Sequence, residues 1–177
     1  MDYRYNYRNT YARNSFGSIG GKIVEMMPYG IRGNNTEACM TMVTVEDEDG
    51  GITNFIVTPA TYVVDFLTLE VGMMCTFWYR LDAPAPLIYP PQYNAEVVAM
   101  MQDERSIEVS RFDNMLVNET GTLQLNLGNS NNIFTTNNQR FQGSPANREL
   151  VVIYDMSTRS IPAQTTPKKV IVLCRNN

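Results

Sequence analysis

Apolar and polar residues alternate along this chain in short runs, and the runs are cut by proline and glycine. Cys75, Phe77 and Tyr79 alternate with Thr76, Trp78 and Arg80, which predicts a pleated strand with one apolar and one mixed face. A second strand is predicted over 150–154. Each ends in a tyrosine followed by a charged residue and then meets prolines: Pro84, Pro86, Pro90 and Pro91 in the first place, Pro162 and Pro167 in the second. Proline fixes φ and lacks an amide donor, so both connections are expected to be semi-extended crossings, neither helices nor central strands. Tyr89-Pro90 is a candidate cis bond. Each crossing resolves into a further apolar strand, over 95–101 and 169–173.

The likeness extends backwards. Phe55, Val57, Thr61 and Val63 have the same spacing as Leu125, Leu127, Asn131 and Ile133. That spacing keeps each set on one face, with the polar residue at a kink where the ladder would bulge. Gly72 and Gly143 precede the two proline-flanked motifs. The order of features predicts an internal duplication with a period of roughly 70 to 75 residues, hence two small β-barrels in an all-β chain. The expected divisions are an extended N-terminal arm, 1–21; a first barrel, 22–101; a charged linker, 102–105; and a second, shorter barrel, 106–177. The first barrel has strands expected over 22–27, 37–46, 52–57 and 61–64, with a short helical turn within 65–72. The second has strands over 106–112, 115–117 and 123–127, and it is expected to lack a strand or close only in part.

The arm has its own pattern. Tyr3, Tyr5 and Tyr7 alternate with Arg4, Asn6 and Arg8, and Tyr11 follows. Three readings fit: a disordered tail, a strand lent to the sheet edge of a neighbouring subunit, or rings stacking on single-stranded nucleic acid. Charge sharpens the choice. Residues 1–21 carry a net +2, residues 22–101 a net −7 and residues 102–177 a net +1, so arm and first barrel attract between copies. The basic residues of 102–177 are offset by seven acids, which disfavours a nucleic-acid partner.

At 177 residues, 44% of them hydrophobic, the chain can bury one large core or two small ones. No run approaches the roughly 20 apolar residues that span a bilayer, and the N-terminus lacks a signal peptide's apolar core. Cytoplasmic synthesis is expected, with a spore or cell surface reached after lysis, and no membrane partner.

The chain has no histidine. This excludes the Ser-His-Asp triad, the Cys-His pair and histidine-based zinc sites. Cys39 and Cys75 lie in predicted strands as free thiols; Cys174, near the C-terminus, is the candidate for an intermolecular disulfide. The carboxylates at Glu46 to Asp49 read as a hairpin tip before Gly50-Gly51. No catalytic residue, metal or cofactor is expected. Trp78, Tyr79, Tyr89 and Tyr93 frame the first proline crossing and form the candidate ligand or interface face.

The strand order resembles the five-stranded oligonucleotide/oligosaccharide-binding (OB) fold, once per repeat. More narrowly, NFIVTPATYVVD, APAPLIYPPQYNAEVVA and RSIPAQTTPKKVIVLC resemble a group of small tandem OB-like β proteins of spore-forming anaerobic bacteria. The resemblance covers about residues 20–175 and implies no catalytic or binding residues. The expectation is a non-enzymatic structural protein that assembles with itself head to tail, in a filament or spore-surface layer, its arm docking on the next subunit. The other reading is an OB-type binding module for single-stranded nucleic acid or glycan, using Trp78, Tyr79 and Tyr93.

Overall fold

The computed structural model describes residues 14–30, 38–129 and 132–174. Within them the chain is all-β, with one 3₁₀ turn at Val64–Phe66. The first half contains β1 (Phe16–Tyr29), β2 (Met40–Glu46), β3 (Ile52–Val57), β4 (Tyr62–Val63), β5 (Met74–Arg80), β6 (Gln92–Asn94) and β7 (Val97–Met100). They form one sheet in the order β4-β7-β5-β1-β2-β3-β6. The second half contains β8 (Ser106–Phe112), β9 (Leu123–Leu125), β10 (Ile133–Thr135), β11 (Arg148–Tyr154), β12 (Ala163–Thr165) and β13 (Lys169–Val172). These divide into a four-stranded sheet, β10-β13-β11-β8, and a two-stranded one, β12-β9.

The expected barrels are not closed. In the first half β3 and β4 are two pieces of one bent segment, each in a short parallel ladder, Asn54–Ile56 with Gln92–Asn94 and Tyr62–Val63 with Val97–Val98. The ladder breaks between them at Thr58-Pro59, where proline offers no amide. Thr61 Oγ1 bridges the break by donating to the Ala95 carbonyl at 2.8 Å, the polar role its place in the pattern predicts. In the second half nothing among the described residues corresponds to β2. Residues 115–117, expected as a strand, are a turn held by Asp113, whose Oδ1 accepts the amides of Met115 and Val117 at 2.8 and 2.9 Å. Only single bridges, Phe112 with Asn118 and Val117 with Gln124, remain of that strand's pairings.

The halves nevertheless share a pairing plan. Val98 faces Phe77 on one side and Val63 on the other; Val170 faces Val152 and Ile133. Phe55 pairs with Tyr93 as Leu125 pairs with Thr165. Glu96 N donates to Trp78 O, and Lys168 N to Ile153 O, both at 2.8 Å. Cis bonds occur at Tyr89-Pro90 and Ile161-Pro162.

β1 begins at Phe16, so residues 16–21, assigned from sequence to the arm, are sheet. They pair with β5 up to Lys22, and the strand then crosses to pair with β2. Glycine is what permits the crossing. A Cβ on Gly21 would lie 2.3 Å from the Glu46 carbonyl oxygen, and one on Gly17 would lie 2.7 Å from the Tyr79 ring. The glycines that read as the end of an arm are points of close approach.

Each half has its own interior, around Phe55 and Phe77 in the first and around Phe112 and Leu150 in the second. A third core lies between the halves, where Tyr62, Val97 and Ala99 meet Val109, Val151, Ile153 and Ile171. Both faces of β7, β11 and β13 are therefore covered, which is why these strands read as unbroken apolar runs. At the rim Arg80 Nη1 and Nη2 grip Glu149 Oε1 and Oε2 at 3.0 and 2.7 Å. The same guanidinium reaches Glu96 at 3.3 Å and lies 5.0 Å from the centre of the Phe16 ring.

Two substitutions test these features by urea unfolding. Arg80→Ala strips a 5% exposed carboxylate, Glu149, of its guanidinium and is expected to cost about 3–5 kcal/mol, while Arg80→Met with Glu149→Leu costs far less. Gly21→Ala is expected to cost about 1–3 kcal/mol by forcing the Glu46 backbone aside.

Candidate functional site

The aromatic face expected from sequence is divided by the pleat. Trp78 packs on the core between the halves. Tyr79, its neighbour along β5, points the other way and stacks on Tyr93, with centroids 4.1 Å apart. Tyr93 lies 6.2 Å from Phe55, which stacks on Phe77 at 4.7 Å, so these rings continue the first interior. Burial, with the neighbouring Tyr93, raises the Tyr79 phenol above its ordinary pKa. Tyr89 stands apart, 87% exposed on the proline crossing. The four rings fill three environments and form no common platform.

The structure brings together a different set. A cleft of about 250 Å³ opens between the halves, lined on one side by Asn14, Phe16 and Ser18, with Trp78 nearby, and on the other by Glu108, Val109, Ser110 and Glu119. β1 over 16–21 pairs only with β5, and β8 pairs with β11 alone apart from the bridge at Phe112. Two strand edges without ladder partners among the described residues therefore border the cleft.

Its polar groups are organised by the Asn118 turn. The Asn118 side-chain amide donates to Glu108 Oε1 at 2.9 Å, and its Oδ1 accepts the amides of Thr122 and Leu123 at 2.9 Å each. Glu119 accepts from the Ser15 amide and hydroxyl, both at 2.7 Å, tying the start of β1 to the second half. Burial pushes the Glu108 carboxyl pKa up, and the Asn118 bond only partly offsets this. Tyr154, also raised mainly by burial, feels the Glu108 charge.

The arm residues Tyr3, Arg4, Tyr5, Tyr7, Arg8 and Tyr11 lie outside the described residues. The described chain starts at Asn14, in the wall of this cleft. No sequence pattern singled out Glu108 or Glu119; a glutamate among the alternating residues of 106–112 was the available signal.

Other groups are placed elsewhere. Cys75 is buried, while Cys39 is exposed just before β2 and not within a strand. Cys174 is exposed beside Asp82 and Thr136 in a wider groove of about 700 Å³. Asp47 builds its hairpin, Oδ1 accepting the amides of Asp49 and Gly51 at 3.0 and 2.7 Å. Among the described residues no three His, Cys, Asp or Glu side chains converge as metal ligands, and no helix is long and apolar enough to cross a membrane. No family model, curated protein or solved structure matches the chain.

The Glu108 environment has a pH signature. Its folded-state pKa is raised, so its contribution to stability is whole below the unfolded glutamate value of about 4.3 and lost as pH rises through the folded value. Glu108→Gln, which keeps an acceptor for Asn118, is expected to raise the melting temperature at about pH 7, the gain vanishing below about pH 4. Thermal unfolding across that range checks it.

Proposed function

We propose that this chain is a non-enzymatic structural protein that assembles with itself head to tail, in a filament or surface layer, with its N-terminal arm docking on a neighbouring subunit. The observation that carries the reading is the placing of apolar side chains on the two proline crossings. Leu87, Ile88 and Tyr89 are exposed on the first crossing, and Met156 and Ile161 on the second. Scattered exposed apolar residues are ordinary, but a run of three held by Pro84, Pro86, Pro90 and Pro91 is a stiff apolar tip. Stiffness lowers the entropic cost of burying such a tip in an interface.

The tips face apart. The C-terminal end of β5, Arg80, meets the N-terminal end of β11 at Glu149, while Thr76, nearer the start of β5, lines a cleft with Ile107, the ladder partner of Ile153 near the end of β11, so the two strands run oppositely across the junction and the loops that follow them leave in opposite directions. Contact between unlike ends of successive copies propagates into a fibre unless its rotation closes a ring. The shared register of the two halves supports their origin in one doubled unit. Within this reading, the likeness of the proline motifs to β proteins of spore-forming anaerobes makes the spore surface the compartment proposed.

The test is sedimentation and negative-stain imaging of the purified chain. Polymers are expected, shortened or lost in Leu87→Ser with Tyr89→Ser, in Ile161→Ser, and on removal of residues 1–13. Deletion stops there because Ser15 and Phe16 belong to the folded body. A chain that stays monomeric at every concentration removes the reading. Polymers indifferent to the deletion remove the arm as connector.

A further inference from the structure

We infer that the outer edge of β8 is the socket for the arm, and that residues 3–8 of a second copy pair along it as an added antiparallel or parallel strand. This rests on the self-assembly reading and names the acceptor within it. In the first half β1 has β2 along its outer edge from Lys22 onward. In the second half β8 has no such strand, because residues 113–118 turn tightly and only Phe112 is bridged. The backbone of 106–111 thus offers a row of amides and carbonyls without a ladder on that side among the described residues. An extended peptide that satisfies such a row gains main-chain hydrogen bonds whatever its sequence.

Side chains then select the occupant. The cleft beside β8 presents Glu108 and Glu119 together with the Trp78 ring and Val109. A strand entering it needs cations on one side and flat apolar surface on the other. In the arm Arg4 and Arg8 alternate with Tyr3, Tyr5 and Tyr7, so an extended conformation delivers both faces at once. Six extended residues cover about 20 Å, the length of a strand such as β8. Guanidinium groups at Glu108 and Glu119 would form charge-assisted bonds, and a carboxylate already holding one partner keeps further lone pairs for them.

The occupant is a neighbour's arm and not the chain's own. The chain leaves the folded body at Asn14, which is itself in the cleft wall. That a second copy supplies the arm is what the self-assembly reading requires, and the dilute full chain in the experiment below separates an exchanged arm from one folded back on its own body.

A peptide of residues 1–13 is titrated onto the chain lacking them, and hydrogen exchange is read by mass spectrometry. Saturable binding is expected, with amides 106–111 slowed by about tenfold or more. Strand pairing uses alternate amides, so N-methylation at Arg4, Asn6 and Arg8, or else at Tyr5 and Tyr7, abolishes binding while the other set changes it by less than about twofold. Equal sensitivity to both sets overturns strand pairing. Protection confined to other segments overturns the socket but leaves self-assembly standing. No peptide binding, with polymers persisting in the shortened chain, overturns the arm's role. Protection of 106–111 in the dilute, monomeric full chain, with peptide binding blocked there, shows the socket filled by its own arm and overturns the exchange between copies.

Discussion

The burial of strand faces between the two halves is the constraint from which the rest follows. Tyr62, Val97 and Ala99 press on Val109, Val151, Ile153 and Ile171. Each large aliphatic side chain taken fully from water there contributes about 1.5–3 kcal/mol, so the junction outweighs the ion pair at its rim. It turns two small half-open sheets into one body with a fixed relation between its ends. Without it the edges of β1 and β8 would not face each other, and the apolar crossings would point in no defined directions.

The parts of the fold that were legible in the sequence are those set by local rules. Alternation, proline and the spacing of Phe55 to Val63 against Leu125 to Ile133 gave the all-β class and most strands, and the kink at Thr61 lies where a polar residue interrupts the pattern. The junction was legible too, in a signal left unread: LVVI at Leu150, VIV at Val170 and VVA at Val97 do not alternate, and an unalternating strand has both faces buried. Closed barrels were the wrong inference because strand order constrains neighbours without guaranteeing a continuous ladder. Proline at position 59 and the Asp113 turn each remove pairing that closure needs.

The four candidate rings do not share one face, for a reason of geometry. Trp78 and Tyr79 are adjacent in sequence and therefore opposite in space, and nothing in the residues themselves says that both sides are covered. Gly17 to Gly21 misled in the other direction. Glycine marks either a loop or a place where another group comes close, and only the approach of Tyr79 and of the Glu46 carbonyl decides between them. Glu108 was invisible because a lone glutamate in a strand ordinarily faces water; here the missing counterpart of β2 leaves it half-enclosed beside Asn118.

An open strand edge is a hazard as well as a device, since any extended segment can pair with it. What restrains this one is the chemistry beside it. A neutral or acidic strand laid along β8 would strip water from Glu108 and Glu119 and return nothing, whereas a strand carrying guanidinium groups replaces that water with charge-assisted bonds. The carboxylates weaken the edge toward most partners and leave it open to a basic one, so selectivity comes from the cost imposed on the wrong strand as much as from affinity for the right one. β1 over Lys22–Tyr29 has β2 beside it and β8 has no such strand among the described residues, so the two halves differ at this edge, and in the assembly proposed above β8 would be the socket and the arm the plug of a chain of subunits that grows in a single direction.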